Sequence, residues 1–388
     1  MALRVGLNAA ALAAPRTGIG NYIAHLQAAL AASGDVELLS FVAGNWHDGV
    51  AGAQQPVARG VVVHRLRSLA GPLLPLVRRL RHARQQRDFA RGAVRHAIEV
   101  YHEPNYVPSE VDVPTVITVH DLSWLRHPET HPPDRVRWLM RAMPGAVERA
   151  SAIIVDSNFT RVEMQAAFPR SAHRLHTVHL GVDRSFHPRE AKETTAALAR
   201  LGLAHGEYVL TVGTLEPRKN VEHVLDAYAR LPARLRDRYA LAVAGAPGWR
   251  AHRLTRQLRA LAAGGHVRFL AAVAQDDLPS LYAGAAAFVF PSFYEGFGLP
   301  PLEAMASGTP VLVSQRAALP EVVGDAAVML DPEEAWLTAQ RIEALLDDPA
   351  SAAALRERGL RRAAQFTWSS CAQKTVAVYR AALQATSR

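Results

Sequence analysis

Short apolar runs alternate with helix-length stretches along this chain, and the alternation breaks once and then restarts. Before the break, strand-like runs fall at 4–8, 36–42, 61–65, 100–102, 115–120 and 152–156, with a last one around 176–180. Helical patterns such as 20–32 and 135–149 lie between them. After the break, strands are expected at 208–213, 239–245, 267–269, 287–291 and 310–314. Helices are expected at 220–230, 250–263, 276–283, 302–307, 334–347, 351–365 and 369–383. Strands joined through helices lie parallel, which predicts an α/β architecture. A chain of 388 residues exceeds what one core normally holds, so two such domains are expected. The polar, proline-bearing stretch 184–192 reads as a linker between a first domain, 1–183, and a second, 193–368. The halves are alike in architecture, without a residue-level repeat.

Composition narrows the function classes. No apolar run approaches the roughly 20 residues that a membrane-spanning helix needs. The basic, alanine-rich start reads as a first strand followed by the loop Thr17-Gly18-Ile19-Gly20, an order that a cleaved leader has no use for. One cysteine, Cys371, excludes a disulfide framework and a cysteine zinc cluster, and reads as an inert thiol in a reducing cytosol. A net charge of +9 favours phosphate-bearing ligands, anionic membranes or nucleic acid without choosing among them. Only Lys192, Lys219 and Lys374 stand against 41 arginines, so a lysine inside a motif is informative.

The segment from Pro291 to Gly308 carries the most chemistry. It leaves a strand, passes Glu295-Gly296-Phe297-Gly298-Leu299, meets Pro300 and Pro301 where a helix begins, and includes Glu303 in what is read as the first turn. Glycines let backbone approach a ligand, and the free N–H groups of a helix start favour phosphate. Two carboxylates beside a phosphate must face something else, and the vicinal hydroxyls of sugars are natural partners. In a second segment, Gly213-Thr214-Leu215-Glu216-Pro217-Arg218-Lys219-Asn220, two adjacent cations open a helix. The helix dipole repels them there unless an anion is present, so Arg218 and Lys219 read as a diphosphate clamp. Two readings stand for Gly18 and Gly20, a phosphate-approaching loop or a structural turn; the third glycine of a dinucleotide fingerprint is missing. Two also stand for His120, at the end of its strand: a contact with a sugar hydroxyl, or a strand-end histidine with no ligand. The arginine-rich stretch 73–96 has one apolar face, which suits either contact with an anionic membrane or a solvated helix. Nucleic-acid binding is not expected, since little aromatic interleaving accompanies the arginines. No metal site is expected at His127 and His131, because no paired carboxylates or helical histidine spacing accompany them.

The glycine loop, the His120-Asp121 pair, the Gly-Thr-Leu-Glu-Pro-Arg-Lys-Asn segment and the glutamate pair with seven residues between its members resemble, in that order along the chain, glycosyltransferase family 4. The resemblance covers nearly the whole chain. It implies a retaining enzyme of GT-B fold: two Rossmann-like domains facing across a cleft, with the last helix, 369–388, crossing back to the first. It further implies that Gly18 and Gly20 lie near the donor diphosphate, that His120 contacts the donor sugar, and that Arg218 and Lys219 bind phosphate. Glu295 is then expected on the transferred sugar and Glu303 on the ribose, while Phe297, Gly298 and Leu299 offer backbone donors. Within the family, His102-Glu103-Pro104-Asn105-Tyr106-Val107-Pro108 and His120–Trp124 look most like mannosyltransferases using GDP-mannose. His179-Leu180-Gly181 departs from the family, where an asparagine often precedes the glycine. The expected partners are a nucleotide-sugar donor, with no separate cofactor, and a saccharide or lipid-linked acceptor. The expected location is the cytoplasm, with peripheral contact at the membrane. Rival readings are another sugar donor, a nucleotide-sugar epimerase, an oxidoreductase or a basic binding module.

Overall fold

A computed structural model of the protein describes residues 2–13, 18–51 and 86–386. The strand expected at 61–65, and the part of 73–96 up to residue 85, lie outside them. Two sheets are present among the described residues. The first contains β1 (Leu3–Asn8), β2 (Val36–Val42), β3 (Asn45–Asp48), β4 (Val100–Glu103), β5 (Thr115–Val119), β6 (Ala152–Val155) and β7 (Leu175–Thr177), in the order β3-β2-β1-β4-β5-β6-β7. The second contains β8 (Tyr208–Val212), β9 (Ala240–Ala244), β10 (Val267–Leu270), β11 (Ala287–Phe290), β12 (Val311–Ser314) and β13 (Val328–Leu330), in the order β10-β9-β8-β11-β12-β13. Every pairing is parallel except that of β2 with β3.

The inner strands explain this layering. β5, β6 and β11 are buried at every residue, as strands covered by helices on both faces must be. The strand order reverses between β1 and β4 in one sheet and between β8 and β11 in the other. Ligands of open α/β sheets sit beyond the carboxyl ends of the strands at such points. Two strands had no expectation. β3 is a polar edge, Asn-Trp-His-Asp, and β13 is only three residues long.

The last helix, Trp368–Thr386, leaves the second domain and packs on the first. Cys371, Ala372, Val376 and Tyr379 are buried in one apolar cluster with Val5, Leu7, Tyr22 and Leu26. The Tyr379 hydroxyl lies 2.8 Å from His102 Nδ1. Where the chain passes between domains, Val182 N–H donates to the Phe366 carbonyl at 3.1 Å, so the outward and return crossings run side by side. Among the described residues, no helix is long and apolar enough to cross a membrane.

Candidate active site

The loops after β8 and β11 form the charged wall of the cleft. After β8 the chain makes one 3-10 turn, Pro217–Lys219, and Asn220, left-handed at φ +55°, opens the helix Val221–Ala229. The Asn220 amide donates to the carbonyls of Pro332 (2.7 Å) and Pro291 (3.3 Å), and Phe293 N–H donates to the Arg218 carbonyl (2.9 Å). The two loops are thereby tied into one unit. From it, Lys219 Nζ donates to Glu295 Oε1 at 2.6 Å, and Arg218 to Glu295 Oε2 at 3.1 Å. Arg218 also donates to Glu216 and to the Tyr294 carbonyl, each at 3.1 Å.

Arg218 and Lys219 lie in the 3-10 turn just ahead of the helix, and the anion they face is Glu295 of the same chain. Glu295 in turn spends both oxygens on cations, because an unpaired carboxylate at this depth is costly. Burial raises its pKa, but Lys219 and Arg218 outweigh burial and hold the carboxyl below the usual range. Burial pushes the Lys219 ammonium down even with Glu295 pulling against it.

The helix after this loop is Leu299–Ala306, beginning three residues earlier than expected. Pro300 and Pro301 sit inside its first turn, where missing N–H groups cost nothing. Glu303 therefore falls in the second turn. It does not line the cleft but lies beside Tyr282 and Asp183, and burial pushes its carboxyl up to about 7. Gly298 has φ +118°, which only glycine adopts readily. Gly296 faces the other domain so closely that a Cβ there would overlap the carbonyl oxygen of His120.

The facing wall comes from the first domain. His120 follows β5 and Asp156 follows β6. His120 Nδ1 is 2.7 Å from Asp156 Oδ2, and Nε2 is 2.8 Å from the Pro104 carbonyl. A carbonyl only accepts, so Nε2 carries a proton in this arrangement, and Nδ1 donates to Asp156 when that carboxyl is ionised. Burial lowers the His120 pKa, but Asp156 more than offsets this and raises it. Neither nitrogen is left for a sugar hydroxyl unless the Pro104 bond is exchanged. Asp121 accepts from Ser123 N–H (2.9 Å), Ser123 Oγ (2.7 Å) and the Tyr106 hydroxyl (3.2 Å). Gly18 begins the helix Gly18–Ser33 and opens onto the cleft; Gly20 is buried within that helix.

The walls touch. Ser157 Oγ donates to the Gly296 carbonyl at 2.7 Å. The Tyr294 hydroxyl meets Glu163 and accepts from Leu122 N–H. Glu321 of the second domain accepts from the N–H groups of Asn158 (2.9 Å) and Phe159 (3.0 Å), at the start of the helix Asn158–Ala167, and pairs with His179 at 2.8 Å. The enclosed space of about 400 Å³ falls within the roughly 300–1,000 Å³ of small-molecule sites. It brings together Gly18, His120, Arg218, Lys219, Glu295, Phe297, Gly298 and Leu299, and leaves out Gly20 and Glu303. Among the described residues, no group of three or more histidine, cysteine or acidic side chains comes together as a metal site.

Asp156, Tyr294 and Glu321 were not among the expected site residues. Asp156 ends a strand, as His120 does, and that placement was the available signal. Tyr294 and Glu321 act across the domain gap, which local pattern does not report.

Residues 16–186 match the family model described as Glycosyltransferase Family 4, and 199–362 the model described as Glycosyl transferases group 1. The chain is 37% identical over 371 residues to O-antigen chain mannosyltransferase B of Escherichia coli, covering 94% of this chain and 96% of that protein. Sucrose-phosphate synthase from Thermosynechococcus elongatus shares the fold with a TM-score of 0.73 at 22% identity, over 97% of this chain and 98% of that one. HepE from Anabaena, solved with UDP and glucose, gives 0.68 at 18%, over 97% and 98%. The architecture is the two-domain GT-B fold.

Proposed function

Because the chain belongs to glycosyltransferase family 4 and is thus a glycosyltransferase, we propose that it moves mannose from GDP-mannose, with retention, to a saccharide or lipid-linked saccharide in polysaccharide biosynthesis. The observation that carries this reading is the convergence of Arg218 and Lys219, from the loop after β8, on Glu295, from the loop after β11, at the switch point of the second sheet. The pair supplies two fixed positive charges where a diphosphate belongs. The mannosyl choice is supported by the His102–Pro108 and His120–Trp124 segments and by the similarity to the Escherichia coli mannosyltransferase.

In this mechanism the bond from the sugar's anomeric carbon to the diphosphate oxygen breaks, and a bond to the acceptor oxygen forms on the same face. The acceptor's proton passes to the departing diphosphate, which leaves as GDP. Arg218 and Lys219, already ordered by Glu295, stabilise charge growing on the leaving group without reorganisation. Glu295, Phe297, Gly298 and Leu299 line the position of the sugar and phosphates, and Gly18 faces them from the first domain. His120 reaches the sugar by exchanging its bond to Pro104. Glu303, on the adjoining helix, holds the ribose. We place the enzyme at the cytoplasmic face of the membrane, with 73–96 as its peripheral contact.

Thermal shift against GDP, UDP, ADP and dTDP sugars tests the donor. At 100 times Kd a true donor adds about 2.7 kcal/mol to folding stability. Stabilisation by another nucleotide and not by GDP overturns the donor assignment. A product of inverted anomeric configuration by NMR overturns retention.

A further inference from the structure

Beside the mouth of the cleft, on the first domain, lies a recess of about 450 Å³ formed by Asn105, Tyr106, Asp134, Arg135 and Trp138. It is continuous with the cleft, because Tyr106 and Arg135 line both. Tyr106 is held left-handed at φ +67°, a conformation that a bulky residue keeps only when its surroundings enforce it. Its hydroxyl reaches Asp121 inside the cleft, so one side chain forms part of both floors. Asp134, Arg135 and Trp138 stand on one face of the helix Pro133–Arg149, at three- and four-residue spacing. Trp138 is 54% exposed, an unusual placement for so large an apolar surface.

The polar groups around the indole are uncommitted. Neither the Asn105 amide nor the Arg135 guanidinium has a hydrogen-bond or ion-pair partner among the described residues, whereas Asp134 pairs with Arg137. Asp134 is paired with Arg137, so Arg135 is the one uncommitted charge of the lining, too little to hold a polyanion. A flat apolar platform ringed by planar hydrogen-bonding groups suits a neutral ligand with one apolar face and an edge of hydroxyls, which describes a pyranose. Between the recess and the cation pair stands His131, 5% exposed, tilted against Trp249 of the other domain at 5.5 Å. Its Nδ1 has no partner among the described residues.

We propose that Asn105, Tyr106, Arg135 and Trp138 form a subsite for an outer sugar of a chain-like acceptor, one unit removed from the sugar that receives the transferred hexose. The proposal rests on the transferase reading given above, and specifies the acceptor as an oligosaccharide gripped beyond its terminal unit. The subsite makes longer acceptors bind more tightly without altering the chemical step.

The test is transfer from GDP-mannose to α-mannosides of one to four units by wild type, Trp138→Ala and Trp138→Phe, with circular dichroism and GDP thermal shift as controls on folding and donor binding. For Trp138→Ala, KM for the tetramannoside rises about tenfold, the scale of one aromatic platform. Its kcat and its KM for the monomannoside stay within about twofold. Trp138→Phe keeps most of the preference for length. An unchanged preference in Trp138→Ala overturns the subsite while leaving the transferase reading intact. Failure of wild type to use any mannoside, with GDP still binding, overturns the subsite as an oligomannoside site while leaving the donor assignment standing. Loss of co-sedimentation with phosphatidylglycerol vesicles in Trp138→Ala, with chain-length preference unchanged, reassigns the patch to a membrane surface and also overturns the proposal.

Discussion

The two walls of the cleft are built on opposite plans. The second-domain wall is a closed electrostatic unit: Arg218, Lys219, Glu216 and Glu295 satisfy one another within two loops that are themselves hydrogen-bonded together. The first-domain wall is looser. Besides the His120–Asp156 pair, it leaves buried polar atoms without partners among the described residues at Trp124 Nε1, His131 Nδ1 and Asp156 Oδ1, against Ser292 Oγ in the two loops of the other wall. Buried polar atoms normally find partners, so each such atom is a place where an incoming hydroxyl gains more than it does on the surface. The contrast teaches a division of labour. A ligand whose charge is fixed is met by a wall assembled in advance, and a ligand of varied shape by a wall with unspent capacity.

The contrast is broken most severely at Lys219. In Lys219→Ala, Glu295 keeps only Arg218 and the leaving group loses a cation, so kcat falls by about 10²–10³, the scale of removing one preorganised donor. Circular dichroism should remain native; near-normal turnover would sink the assignment. Next is Gly296→Ala, which places a methyl group into the His120 carbonyl and forces the walls apart. A misplacement of about 1 Å costs about 10²-fold in kcat/KM, while GDP affinity, which depends mainly on the second domain, changes far less by calorimetry.

Glu321→Ala removes the acceptor for two helix-start N–H groups and for His179. It should cost about 1–2 kcal/mol in chemical denaturation, as loss of a helix cap does, and should raise KM several-fold. A smaller effect concerns pH. The folded pKa of His120 is raised, so its contribution to stability is full below the ordinary value of 6.5 and is lost as pH rises through the higher folded value. His120→Gln should therefore flatten the decline in Tm as pH rises above 6.5; an unchanged decline would show that the ring carries no extra proton. Smallest is Arg380→Ala, which breaks an exposed pair with Asp35 and should shift stability by under about 1 kcal/mol.

The charged wall was legible in sequence because its parts are local. Proline and glycine punctuate both loops, and a scarce lysine marks one of them. Its inner geometry was not legible: that Glu295 faces Lys219 depends on contacts 76 residues apart. Glu303 was placed a turn too early because the helix was started after its prolines rather than before them. Most strands of both sheets were visible as short apolar runs, whereas β3, made of polar residues on an edge, and β13, only three residues long, were not. The contacts that join the walls, through Tyr294, Ser157 and Glu321, lie between elements with no periodic relation in the chain.

The return of Trp368–Thr386 to the first domain sets an order of assembly. On the ribosome, every strand of the first sheet emerges before any part of the second, yet that sheet lacks Val376 and Tyr379 from its core until the whole second domain has been made. The nascent first domain must wait with an apolar groove uncovered, while the second can close on its own residues. Synthesis therefore starts with the first domain and folding finishes there, so a nascent chain stalled before the final helix should present a protease with a compact second domain and a cleavable first one.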